Sequence, residues 1–166
     1  MTREPPLERP SPENAKSPQQ TWRILFLDCP ENVEKLKDAG KEAGYVVVGA
    51  ITIAAAWAFL NGKDHADVIV CAAHLEEESM FEFLKGVRDS EIHRNAGFLI
   101  LSLSPGEAGA RLDRNATRAG MLLGADAYAI MPTFDPSALI ASIKSLQPRV
   151  PMLQQSATLQ EKRRSE

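Results

Sequence analysis

The sequence predicts an α/β fold in which a doubly wound, five-stranded parallel sheet lies between two layers of helices. Short apolar runs without polar alternation recur along the chain, and such runs are typical of strands buried on both faces of a parallel sheet. Segments with helical spacing separate these runs, as right-handed crossover connections require. The run Val68–Cys71 predicts the central strand, so we expect any site chemistry just beyond it, at Ala72 and Ala73.

The composition is that of one globular domain, with 166 residues of which 44% are hydrophobic and 25% charged. A net charge of −3 indicates no binding of nucleic acid. Cys29 and Cys71 lack the spacing of a disulfide framework or a zinc site. No apolar run approaches the roughly 20 residues of a membrane span, and no signal core is present. We therefore expect a cytoplasmic protein that contacts no membrane.

The chain divides into three predicted regions. Residues 1–21 form an extension rich in proline, with too few apolar side chains to offset the entropy of ordering, and are predicted to be disordered. Residues 22–147 form the domain. Residues 148–166 form a polar tail.

In the first half of the domain, strands and helices alternate. Asp28 ends the first predicted strand, and Gly44 and Gly62 are placed to terminate the two helices. The predicted elements are a strand at 23–28, a helix at 30–43, a strand at 45–51 and a helix at 52–61.

The second half repeats the alternation. Apolar residues at i, i+3, i+4 and i+7 predict a helix from Met80 to Val87. Asp135 followed by Pro136 is typical of an N-cap and a first helical position. The other predicted elements are a strand at 98–102, a helix at 104–123, a strand at 127–131 and a last helix to residue 146.

Four segments resemble the receiver domain of bacterial response regulators: residues 24–28, 67–72, 124–128 and 132–136. The resemblance covers about residues 22–146. It implies a flavodoxin-like, CheY-like strand order of 2-1-3-4-5, with the ends of the first and third strands side by side. It also implies a module of a two-component or phosphorelay system.

A working receiver phosphorylates an aspartate after the third strand, using Mg²⁺ on an acidic pair and a lysine. The resemblance puts Ala72 at the phosphoacceptor position and Asp28 with Cys29 at the acidic pair. Met131, before Pro132, is at the lysine position, and we expect the bond between them to be cis, as is common in the family. Three chemical parts are missing, which predicts a pseudo-receiver.

Two conformational positions are retained, namely the Ser102 hydroxyl after the fourth strand and the switch aromatic Tyr128. The resemblance therefore predicts a module that acts by phosphorylation-independent contact with a partner protein. The expected surface is formed by the fourth helix, the fifth strand and the last helix, around Tyr128 and residues 110–123 and 137–146.

Several polar residues have two interpretations. Asp28 is a residual metal ligand or, as we favour, an acceptor for a loop amide. Cys29 is a redox-sensitive thiol or an inert residue, and His74 a general base or an exposed loop residue. Residues 76–78, three glutamates, supply charge to the pocket or form a solvated loop.

An alternative function is the binding of a small molecule or cofactor in the crevice of the flavodoxin-like fold. Residues 28–32 match neither a flavin phosphate loop nor a cobalamin motif, so no cofactor and no metal are predicted. An enzyme would have to use Asp28, Cys29 or His74. Because no nucleophile, base and orienting group appear together, the sequence predicts a protein that is not an enzyme.

Overall fold

The computed structural model describes residues 21–75, 78–103 and 116–146. Its five strands form one parallel sheet in the order β2-β1-β3-β4-β5, which confirms the predicted fold class. The elements are β1 (Arg23–Leu27), α1 (Pro30–Glu42), β2 (Val46–Ala50), α2 (Ile53–Leu60), β3 (Val68–Ala72), α3 (Met80–Asp89), β4 (Gly97–Leu103), α4 (residues 116–123), β5 (Ala127–Met131) and α5 (Pro136–Ser145).

Some predictions lie outside the described residues. They concern residues 1–20 of the N-terminal extension, the tail at 148–166, and Glu76 and Glu77. The first part of the predicted helix at 104–123 also lies there.

The sheet separates two apolar clusters, because successive side chains of a strand point to opposite faces. Ile69 and Cys71 of β3 pack with α2 and α3 on one face, and Val68 and Val70 pack with α1 and α5 on the other. All five residues of β3 are buried. Burial on both faces explains why the strands read as continuous apolar runs rather than alternating ones.

Short polar side chains start three of the helices. The Thr52 hydroxyl accepts a hydrogen bond from the Ala55 amide at 3.0 Å, and the Ser79 hydroxyl accepts one from the Glu82 amide at 3.3 Å. Asp135 caps α5 in the same way, as predicted. These caps fix where the loops at the carboxyl edge of the sheet end.

An ion pair links α3 to the amino ends of β4 and β5, opposite the carboxyl ends of the strands. Arg88 at the end of α3 contacts the Asp126 carboxylate at 3.0 Å and donates to the carbonyls of Gly124 and Ala96 at 2.8 and 2.7 Å. Asp126 also accepts from the Phe98 amide at 2.9 Å. Arg88 thus ties the starts of β4 and β5 to α3, a role that the sequence analysis did not predict.

Candidate functional site

The carboxyl ends of β1 and β3 are adjacent, since Leu27 pairs with Cys71 in the parallel register. The next residues along the two strands are Asp28 and Ala72. Ala72 is 5% exposed, and the following amide, that of Ala73, donates to the Leu101 carbonyl at 2.9 Å. A methyl group therefore stands at the end of the central strand, beside a buried carboxylate.

The Asp28 carboxylate is held by amide groups. Its Oδ1 atom accepts from the Cys29 amide at 2.6 Å and from the Asn32 side-chain amide at 3.1 Å. Burial raises the pKa of Asp28, and this effect exceeds the lowering by its hydrogen bonds. The contacts agree with the favoured interpretation of Asp28 as an acceptor for a loop amide.

The donor set at this edge does not fit a magnesium site. Mg²⁺ takes hard oxygen ligands in octahedral geometry, whereas Asp28 offers one carboxylate, Cys29 a thiol and Ala72 a methyl group. Within the described residues, no three His, Cys, Asp or Glu side chains are grouped so that they could hold a metal ion. No step of a reaction is therefore assigned to a metal here.

The two cysteines differ in environment. Cys29 is exposed and is the N-cap residue of α1, where its side chain makes no capping hydrogen bond. Cys71 is fully buried, and burial together with the nearby Asp28 and Glu78 carboxylates raises the pKa of its thiol far above the usual range. Cys71 is thus a core residue, as predicted.

The prediction of a cis bond between Met131 and Pro132 is wrong, because the described residues contain no cis peptide bond. The trans isomer is intrinsically favoured by about 0.5–1 kcal/mol. Met131 is buried in the cluster on the α1 and α5 face, so its side chain packs in the core and brings no positive charge to the site.

Ser102 and Tyr128 lie on neighbouring strands. Tyr128 pairs with Ile100, two residues before Ser102, so all three side chains point to the same face of the sheet. Ser102 is buried, and Tyr128 is half-buried against the cluster that includes α2 and α3. Ser102 and Tyr128 therefore lie on the same face of neighbouring strands, offset by two positions in the register.

A cavity of about 470 Å³ opens at the carboxyl ends of the strands. Three loops form it, each following one of the strands β1, β2 and β3. Cys29 and His74, which are 45 positions apart in the sequence, both line this cavity, and no sequence pattern indicates that they meet. Among the described residues, those that line it are Cys29, Pro30, Ile51, Thr52, His74, Leu75 and Glu78.

Glu78 has a defined role in this cavity wall. Its two carboxylate oxygens accept from the Ile53 amide at 3.0 and 3.2 Å, which caps the first turn of α2. Glu78 is half-buried, so the interpretation of the three glutamates as a solvated loop does not hold for this residue. Nothing in the sequence signals a contact between residues 25 positions apart.

Solved structures of response regulators are similar to this chain over about three quarters of its length. A candidate response regulator from Chloroflexus aurantiacus J-10-fl has a TM-score of 0.64 and 25% identity, over 76% of this chain and 97% of that chain. The chemotaxis response regulator CheY4 of Vibrio cholerae has a TM-score of 0.62 and 22% identity, over 75% and 98%. This chain has a CheY-like receiver fold.

A similar fold is also found in a protein that is described as an enzyme. An adenylate cyclase from Rhodopirellula baltica has a TM-score of 0.59 and 19% identity, over 75% of this chain and 86% of that chain. No family model and no curated protein matches the sequence. In the ranges 21–75, 78–103 and 116–146, no helix is long and apolar enough to cross a membrane.

Proposed function

We propose that this chain is a receiver-like module of a bacterial two-component or phosphorelay system that acts by phosphorylation-independent contact with a partner protein. The observation that carries the proposal is Ala72 at the end of the central strand, where the receiver fold has its phosphoacceptor. An alanine has no lone pair with which to attack phosphorus. The fold is kept while the nucleophile is missing.

The surroundings of Ala72 support the same conclusion. Transfer of a phosphoryl group needs a cation for the transferring oxygens and a metal between the reacting groups. Met131 is buried in the core and carries no charge, and Cys29 replaces the second acid of the pair. Asp28 alone remains, with its pKa raised by burial.

An exposed apolar surface supports partner binding. Leu122 at the end of α4 is 82% exposed, and Met121, Leu123 and Ile130 also expose large apolar side chains. β5, which carries Ile130, is an edge strand of the sheet. Large exposed apolar side chains and an unpaired sheet edge are typical of surfaces that bind proteins. We assign the partner to this α4, β5 and α5 face.

The test is a titration of ¹⁵N-labelled full-length protein with Mg²⁺ and then with beryllofluoride, a phosphoryl mimic. We expect no saturable amide shifts at Asp28, Ala72, Ser102 or Tyr128. A variant with Cys29→Asp, Ala72→Asp and Met131→Lys is the positive control, because it returns the carboxylates and the cation and should respond. Saturable shifts in the wild type that extend to Tyr128 would contradict the proposal.

A further inference from the structure

We infer that this chain pairs with a second copy of itself through β2 and α2. The α2–β2 surface consists of Val46–Ala50 and Ile53–Leu60, at the edge of the sheet away from β5. The inference goes beyond the proposed function, because the partner surface proposed there includes β5. Pairing through α2 and β2 leaves that partner surface accessible on both copies.

The α2–β2 surface carries no charge. Residues 45–62 contain no lysine, arginine, histidine, aspartate or glutamate, in a chain of which 25% is charged. Val46 is 45% exposed, and Ile51, between β2 and α2, is 53% exposed. When a surface contacts its own copy, like charges are brought together and oppose the contact. Two copies can meet at this surface without that repulsion.

The outward side of α2 differs from those of α1 and α3. Those two helices carry acidic and basic side chains at most of their exposed positions, for example Lys35 and Lys85. α2 has no polar residue, and its exposed positions are Ala54, Ala55 and Ala58. A helix that is apolar on every side is typical of a covered position. We therefore expect another apolar surface to cover α2.

The backbone of β2 is open to pairing on one side. Among the described strands, β2 is hydrogen-bonded to β1 alone. Proteins commonly protect such an edge with a charged residue or a proline, and Val46–Ala50 contains neither. The strand is therefore able to take a further strand beside it.

The direction of the backbone groups fits a copy of the same strand. The Val46 amide donates to the carbonyl of Trp22, which precedes β1, at 3.0 Å. Successive residues of a strand direct their amide and carbonyl groups to opposite sides, so those of Val47 and Gly49 point away from β1. Antiparallel pairing about a two-fold axis at Val48 places Val47 of one copy opposite Gly49 of the other. Each such pair exchanges both of its hydrogen bonds.

A second copy satisfies the strand and the helix together. The two-fold axis is perpendicular to the sheet, so the sheet continues from one copy into the other and both α2 helices lie on the same face of it. The small exposed side chains of α2 allow the two helices to approach closely. A strongly acidic or basic partner, in contrast, would find no opposite charge within residues 45–62.

Sedimentation equilibrium of the full chain, from micromolar to submillimolar concentration, measures the self-association. We expect the average mass to rise from 18.2 kDa toward twice that value, with a Kd in the micromolar range. Hydrogen exchange of the Val47 and Gly49 amides should slow over the same concentrations. A monomer at every concentration would overturn the inference. Protection of these amides in a monomer would mean that residues 1–20 of the same chain cover the edge, and would overturn it too.

Two substitutions test the helix and the strand separately. Ala58→Glu places a carboxylate between the α2 helices, and Val46→Lys places a charged group at the edge of β2, so each should raise the Kd about tenfold or more. The matched controls are Ala141→Glu, at an exposed alanine within α5, and Ile130→Lys, at a 40% exposed position on β5, the other edge strand. Both controls should leave the Kd unchanged. Circular dichroism checks that all four variants are folded.

Unchanged association in either Ala58→Glu or Val46→Lys would overturn the inference. Dissociation by Ala141→Glu or Ile130→Lys would overturn it as well, because it would place the contact at α5 or β5. None of these measurements uses Mg²⁺, beryllofluoride or a partner protein. Self-association and the proposed function can therefore fail independently.

Discussion

At the scale of single residues, Asp28 has the most informative environment. Its carboxylate is buried and its contacts with Cys29 and Asn32 come from neutral amides. The sequence predicted this acceptor role because a single carboxylate cannot form a magnesium site. It could not predict the degree of burial, which depends on how the loops fold over the strand end.

Burial of Asp28 has a consequence for stability. The pKa of Asp28 in the folded state is raised above the ordinary value of 3.8, so folding favours the neutral carboxyl group. Its stabilising contribution is complete below pH 3.8 and is lost as the pH rises through the raised pKa. At neutral pH the ionised carboxylate therefore lowers the free energy of unfolding.

We predict that Asp28→Asn raises the free energy of unfolding at neutral pH, because the neutral amide keeps an oxygen for Cys29 and Asn32. The gain should shrink as the pH falls toward 3.8. Urea unfolding at several pH values measures it. Asp126→Asn is the control and should destabilise, since Asp126 has a charged partner. Lower stability of Asp28→Asn at neutral pH would show that the charge itself is stabilising.

At the scale of elements, the bounds of helices and strands were predicted best where residues close in sequence determine them. The bounds of β5 agree with the prediction, and α5 begins after the predicted N-cap Asp135. Both faces of the central strands are buried, which accounts for their apolar runs. The contacts between Glu78 and Ile53 and between Arg88 and Asp126 could not be predicted, because they join segments that only the tertiary fold brings together.

The Arg88 network leads to the prediction at this scale. Replacing Arg88 by Met keeps most of the side-chain volume but removes the ion pair with Asp126 and the hydrogen bonds to the Gly124 and Ala96 carbonyls. Both side chains are largely buried, at 10% and 21% exposed, so we expect a loss of about 3 kcal/mol in the free energy of unfolding. Denaturant unfolding monitored by circular dichroism checks it.

Two further variants test the cause. Arg94→Met, at an exposed position, should cost less than about 0.5 kcal/mol. Combining Arg88→Met with Asp126→Asn should recover part of the loss, because the carboxylate that paired with Arg88 is then a neutral amide. If the double variant were no more stable than Arg88→Met, the hydrogen bonds to backbone carbonyls rather than the ion pair would carry the effect.

At the scale of the whole molecule, the cavity and the exposed apolar surface lie toward different outer strands of the sheet, the cavity toward β2 and the surface at β5. The cavity is formed by the loops after β2, β1 and β3, and the exposed apolar surface includes Ile130 on β5. Ser102, on β4, lies between these two regions, whereas Tyr128 lies on β5, the strand that carries Ile130. The surface is indicated by the family resemblance and stays a prediction, whereas the cavity could be found only from the loop geometry.

The proposed partner surface is tested by placing a charged side chain at one of its exposed apolar positions. We predict that Leu122→Glu abolishes capture of the partner by immobilised full-length protein from extracts of the source cells. Leu122 is 82% exposed, so the variant should keep the thermal stability of the wild type. The captured proteins are identified by mass spectrometry.

The matched control is Ile92→Glu, because Ile92 is 80% exposed and lies in the connection between α3 and β4 rather than on the proposed surface. It introduces the same charge at an equally exposed apolar position, so general effects of charge on capture cancel. A partner retained by Ile92→Glu and lost by Leu122→Glu binds the α4, β5 and α5 face. The reverse pattern would move the interface to the α3–β4 connection, away from β5.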